Sequence, residues 1–78
     1  MYQPALHLII AFGETTAALK MEACCQQEEL PGRLIPLPQQ IRAGCGLAWA
    51  AGPEAETALT EMMERQQIST QGIYTLYY

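Results

Sequence analysis

Basic charge is scarce in this chain. Lys20, Arg33, Arg42 and Arg65 are its cations, scattered among eight carboxylates, and the net charge is −4. No basic run exists to neutralise phosphates, so no nucleic-acid partner is expected. Histidine occurs once, at His7, and Cys-x-x-Cys does not occur, which argues against a zinc site within a single chain. No metal and no cofactor are expected. Long hydrophobic runs are also missing. The stretch "ALHLIIAF" is too short to span a bilayer, and the start "MYQPALHLII" carries no basic region of a secretory signal. No membrane partner is expected. Cysteines number three, and two of them adjoin, which makes a poor disulfide framework and suits a reducing cytoplasm.

What is present is apolar and ordered in pattern. Half of the residues are hydrophobic, while the mean hydropathy stays near zero. A chain of 78 residues makes one domain, spanning 1–78. Domains this small bury little surface, so pairing with a second copy, a homodimer, is expected. "LHLIIAF" (6–12) reads as a central strand, apolar on both faces. Residues 13–30 read as a helix, with Thr15 or Thr16 as N-cap and a buried stripe of Ala18, Met21 and Cys25, joined by Ala17 or Cys24. Pro31-Gly32 closes it. "RLIPLP" (33–38) is a strand whose Pro36 cannot donate to a ladder and so belongs at a sheet edge. A loop (39–46) leads to the short strand "LAWAA" (47–51). A second helix over 53–67 buries Ala55, Ala58, Leu59, Met62 and Met63. "QGIYTLYY" (71–78) is the last strand. The order β-α-β-β-α-β predicts an α+β, ferredoxin-like sandwich: a four-stranded antiparallel sheet in the order 4-1-3-2, with two helices on one face. Its other face would carry Ile9 and Ala11, with Trp49, Tyr74, Tyr77 and Tyr78 beside them. An open apolar face of this kind is most often an association surface, and the last strand is the alternative route to a homodimer.

The topology also places the most unusual motif, "RAGCGLAWA" (42–50). The first strand ends and the third begins at the same end of the sheet, so Cys45 should lie near Gly13, Glu14, Thr15 and Thr16, where the first helix opens. A helix N-terminus favours a thiolate. Gly44 and Gly46 remove side-chain bulk and let main-chain amides turn toward sulfur. Arg42 adds positive charge, and Glu14 opposes it. Thr15 and Thr16 are capping residues first and donors to sulfur second.

The stretch "TTAALKMEACC…LPGRLIPLPQQIRAGCGLAWA", followed by "GIY", resembles the DUF3343 family, described as selenium/sulfur carrier-like proteins. The specific parts are Arg33-Leu34-Ile35-Pro36 with Pro38, then Ile41, Cys45-Gly46-Leu47-Ala48, and Gly72-Ile73-Tyr74. The resemblance covers roughly residues 6 to 77. It implies a small cytoplasmic protein whose loop cysteine, Cys45, carries sulfur or selenium as a persulfide or selenosulfide. Its partners would be donor and acceptor proteins, and it would act as a carrier more than as an autonomous enzyme. Gln39 stands where the family often has arginine, and Arg42-Ala43-Gly44 where it often has a serine-rich run. Cys24-Cys25 lies outside the pattern and takes no role from it.

Other readings of the residues stand beside this one. Cys45 could be a small buried residue in a binding or dimerisation module, a small-molecule sensor or a partner scaffold without thiol chemistry. A metal shared across a dimer through two copies of Cys45 is a third, though two thiolates rarely suffice. Cys25 fits the core stripe, and Cys24 is on the order of 13 Å along the helix from its start. His7 begins the first strand, far from the loop. The glutamates read as solvated helix faces.

Overall fold

The computed structural model describes residues 5–42 and 44–77. Its elements are β1 (Leu6–Ala11), α1 (Thr15–Gln27), β2 (Arg33–Pro36), β3 (Leu47–Ala51), a 3-10 turn (Pro53–Ala55), α2 (Glu56–Gln66) and β4 (Gly72–Tyr77). The strands form one antiparallel sheet in the order β2-β3-β1-β4. This is the ferredoxin-like arrangement that the element order predicts. Tyr78, the last residue of the expected final strand, lies outside the described residues.

β1 holds the centre because its residues are apolar on both sides. Leu8, Ile10 and Phe12 join the core beneath the helices, while Ile9 and Ala11 join a second cluster on the opposite face. All five are fully buried. β2 is an edge strand, and Pro36 shows why it can be. Pro36 sits opposite Leu47, and the next residue donates its Leu37 N–H to the Gly46 carbonyl at 2.9 Å. Donors alternate in direction along an antiparallel strand, so the missing proline N–H falls on the solvent side.

The helices end through left-handed residues. Leu30 N–H reaches back to the Cys25 carbonyl at 2.9 Å, across Glu29 at φ 56°. That closure stops α1 at Gln27, short of the expected residue 30. α2 closes in the same way: Gln67 stands at φ 57° and Ile68 N–H bonds the Met63 carbonyl at 2.9 Å. Beyond these turns, Arg65 grips Glu28 with two bonds, Nη2 to Oε1 at 2.7 Å and Nη1 to Oε2 at 3.3 Å. Glu28 is therefore a tie between the two helix ends and not the solvated carboxylate expected. The guanidinium bonds hold its carboxyl below the usual carboxylate range. Its contribution to stability is thus present above the unfolded-state carboxylate pKa and is lost as pH falls through the lowered value. Both side chains remain partly exposed, which keeps the pair weak.

Three further expectations are corrected. Glu14, not Thr15 or Thr16, is the N-cap of α1, and its side chain makes no capping bond. Ala58 is exposed, because α2 turns Leu59, Met62 and Met63 inward instead. Trp49 lies on the helix-covered face, opposite Ile10 and Leu34. There it is buried, and its indole N–H donates to the Pro31 carbonyl at 3.1 Å. A large ring with one polar atom needs both depth and a partner, and only this side offers them.

The second face of the sheet is not open. Residues 37–41 fold back across it, turning where Ile41 N–H bonds the Pro38 carbonyl at 3.0 Å. Ile41 thereby joins Ile9, Ala11, Ile35, Ala48 and Ala50, with Leu37 and Leu76 at the margin. Alanine at 11, 48 and 50 keeps the face low enough for a single strand of loop to cover it.

Gln67→Gly should stabilise the fold by ~1 kcal/mol, because glycine holds the left-handed conformation without the side-chain penalty. At this size such a gain raises Tm by roughly 4–8 °C, and thermal unfolding followed by circular dichroism checks it.

Candidate functional site

Cys45 sits where three strand ends meet. β1 finishes at Ala11, β3 starts at Leu47 and β4 starts at Gly72. Main-chain bonds stitch these ends together. Phe12 N–H donates to the Leu47 carbonyl at 3.3 Å, Cys45 N–H to the Phe12 carbonyl at 3.4 Å, and Gln71 N–H to the Ala11 carbonyl at 2.9 Å. One side chain adds to them: the Gln71 Oε1 accepts the Gly44 N–H at 2.9 Å. Further back, Ile41 roots the loop in the rear cluster. The loop 37–46 is thus held at both ends by burial and hydrogen bonds.

Each glycine of the Gly-Cys-Gly motif has its own local reason. A Cβ on Gly44 would stand 2.8 Å from the Gly13 carbonyl oxygen and 3.4 Å from its Cα. Two backbones touch here, and no side chain fits between them. Gly46 has open space around it but adopts φ 74°, a conformation that favours glycine. The amides of Gly44 and Cys45 are meanwhile committed to Gln71 and Phe12. The expected cup of loop amides around sulfur is therefore not formed by these two groups.

The thiols divide by burial. Cys24 and Cys25 are buried, and Cys45 is half-buried. Cys25 lies in the core beside Met21 and Met62, and burial, with Cys24 and Glu28 adding, pushes its thiol up from 9.0 to about 11. A thiol so raised is a poor nucleophile near neutrality. Cys45 packs against the margin of the helix-side core, and its Sγ donates to the Leu47 carbonyl at 4.0 Å. That bond is weak, so little holds the sulfur in place beyond its own backbone.

The structure brings Gly44 against Gly13 and Cys45 against Phe12, the meeting of strand ends that the topology required. It does not bring the threonine hydroxyls to the sulfur. Thr16 donates to Glu14 Oε2 at 3.4 Å, and Thr15 is exposed in the first turn of α1. Arg42 is exposed on the loop, and the ion pair found among the described residues is that of Arg65 with Glu28. A cleft of about 190 Å³ beside the first turn of α1 is lined by Glu14, Thr16, Lys20, Gln67 and Ser69, apart from Cys45. Gln71 escaped sequence reasoning altogether. A polar residue ahead of an edge strand carries no signal, although the pairing of Gly13 with Gly44 follows from topology and could have drawn attention to what packs beside them.

An antiparallel ferredoxin-like sheet with a half-exposed thiol at the joined ends of its strands defines a small α+β domain with a loop cysteine as its candidate centre. The model of the family described as "Putative Se/S carrier protein-like" matches residues 7–75, and the chain belongs to that family. No curated protein and no solved structure matches it.

Two outcomes are expected. Iodoacetamide at pH 8 should label the native protein at Cys45 alone and label all three cysteines in denaturant, read by peptide mass mapping. Gly44→Ala should cost about 1–3 kcal/mol in urea unfolding, the usual range for forcing an extra methyl into a packed position.

Proposed function

We propose that the protein carries sulfur or selenium on Cys45, as a persulfide or selenosulfide, between a donor and an acceptor protein. One observation carries the reading: in a chain of the Se/S carrier family, Cys45 is the one thiol reachable from solvent, while Cys24 and Cys25 lie in the core. The chemistry is thiol exchange. The Cys45 thiolate attacks the outer sulfur of a donor persulfide, R–S–SH. A bond forms between the Cys45 Sγ and that sulfur, the donor S–S bond breaks, and the donor leaves as its thiolate. Cys45 then holds –S–SH, and attack by an acceptor thiolate on the same outer atom releases Cys45. Selenium takes the place of that outer atom in the selenosulfide. Neither step changes the total oxidation state, so no external oxidant or reductant is required.

The surroundings support this role. Gly44 and Gly46 shape a bend in which the sulfur can be approached. Arg42 on the same loop adds long-range attraction for an anionic cargo. The first-turn amides at Thr15 and Thr16 lie at the end of a helix whose N-cap side chain makes no capping bond, and they favour negative charge nearby. These features act through position and field, at a surface open to a partner protein.

The reading includes a homodimer formed along β4. That strand is a sheet edge with no charge and no proline from Gly72 to Tyr77, the features that normally discourage edge pairing. Ile73, Tyr74 and Tyr77 are exposed on it, and Leu6 beside them. The rear face, being covered by residues 37–41, is the weaker route. Such a protein works inside the cytoplasm, where a thiol stays reduced.

Incubation with a persulfide donor, followed by mass spectrometry, tests the carrier reading. One extra sulfur is expected on the natural chain and on Cys24→Ala/Cys25→Ala, and none on Cys45→Ser; an equal adduct on Cys45→Ser sinks the proposal. For the dimer, sedimentation should find a two-chain species that Thr75→Lys converts to monomer, and a monomeric natural chain at every accessible concentration would refute it.

A further inference from the structure

We infer that Gln71 is the positioning residue of the Cys45 loop, holding the thiol in its half-shielded place through the N–H of Gly44. The inference rests on Cys45 being the working thiol and adds the group that governs its access.

Ordering the loop around Cys45 is costly, because glycine flanks the cysteine on both sides and gives up more backbone entropy on ordering than any other residue. The Cys45 side chain cannot fix itself, since its Sγ makes only a 4.0 Å contact with the Leu47 carbonyl. What restrains the motif comes from outside it. Cys45 N–H meets the Phe12 carbonyl at a long 3.4 Å, whereas Gly44 N–H meets Gln71 Oε1 at 2.9 Å, the shorter and better bond. Gln71 is itself well anchored, with its own N–H on the Ala11 carbonyl at 2.9 Å. Its amide also lies across Gly13, where an added Cβ would come within 2.7 Å of Nε2. The side chain, although exposed, thus runs from the end of β1 across Gly13 to the loop. It can reach Gly44 because residue 13 has no side chain in the way. Without it, the bonds of Cys45 N–H to Phe12 and of Leu37 N–H to the Gly46 carbonyl remain, but the Gly44 amide loses its partner and the place of the sulfur is loosened. The acceptor oxygen is the part that matters, which separates this role from simple space filling.

The pH dependence of Cys45 alkylation by iodoacetamide, together with hydrogen exchange at the Gly44 amide, tests this on the cargo-free protein. Gln71→Ala and Gln71→Asn, which removes and shortens the acceptor respectively, should each raise the high-pH plateau rate and the Gly44 exchange rate by roughly two- to tenfold, the factor an ordinary net hydrogen bond represents. Gln71→Glu keeps an acceptor at the same reach. It should leave plateau and exchange at their natural values, while its negative charge moves the midpoint of the alkylation profile to higher pH. An unchanged plateau and unchanged Gly44 exchange in both the Ala and Asn variants would overturn the inference. So would equal acceleration in the Glu variant, since the acceptor would then be irrelevant. Failure of the carrier reading would appear elsewhere, as absence of a sulfur adduct on the natural chain, with these loop measurements unaffected.

Discussion

The end of β1 is the point on which the rest of this molecule leans. Within three residues, the carbonyls of Ala11 and Phe12 accept bonds from Gln71 and Cys45, and the backbone of Gly13 presses against Gly44. These contacts join the starts of β3 and β4 to the exit of the central strand. A side chain at 44 would meet the Gly13 backbone, and one at 13 would meet the Gln71 side chain. The price of that closeness is two ordered glycines, and the entropy they lose has to be offset by burial elsewhere.

Burial comes from both sides of a thin sheet. On one side, Leu8, Ile10 and Phe12 meet Met21, Leu59 and Met62. On the other, alanines at 11, 48 and 50 accept the returning loop with Ile41 at its tip. That loop is also the one that ends in Cys45. Covering the rear face and presenting the thiol are therefore one structural act: the chain that leaves β2 must cross the back of the sheet before it can arrive at the front end of β3. Ile41 and the thiol are four positions apart in the chain and belong to clusters on opposite faces of the sheet.

The chemistry of the cysteines follows from place. Cys24 and Cys25 are consecutive in a helix and both face inward, and Cys25 is raised to about 11 because a thiolate there would lose its water. Cys45 is held by main chain and by one glutamine, at a margin where water and a partner can reach it. A protein with three thiols thus buries two and leaves one half-buried.

Much of the fold could be read from residues alone. Apolar alternation on both faces of 6–12 made β1 central, and Pro36 put β2 at an edge, because a missing N–H is tolerated only where no strand follows. The element order then implied that Cys45 and Gly13 meet. Local sequence did not show which face Trp49 takes, since a strand of five small and apolar residues reads equally well both ways. Nor did it show that residues 37–41 close the rear face, or that Glu28 finds Arg65 across 37 positions. The glycines around Cys45 looked like a cradle for sulfur, and their actual causes are a backbone contact at 44 and a left-handed bend at 46. Periodicity and backbone chemistry act between neighbours in the chain and so are written in it. Which groups meet across 27 residues, as Gly44 and Gln71 do, is decided only when packing brings the strand ends together.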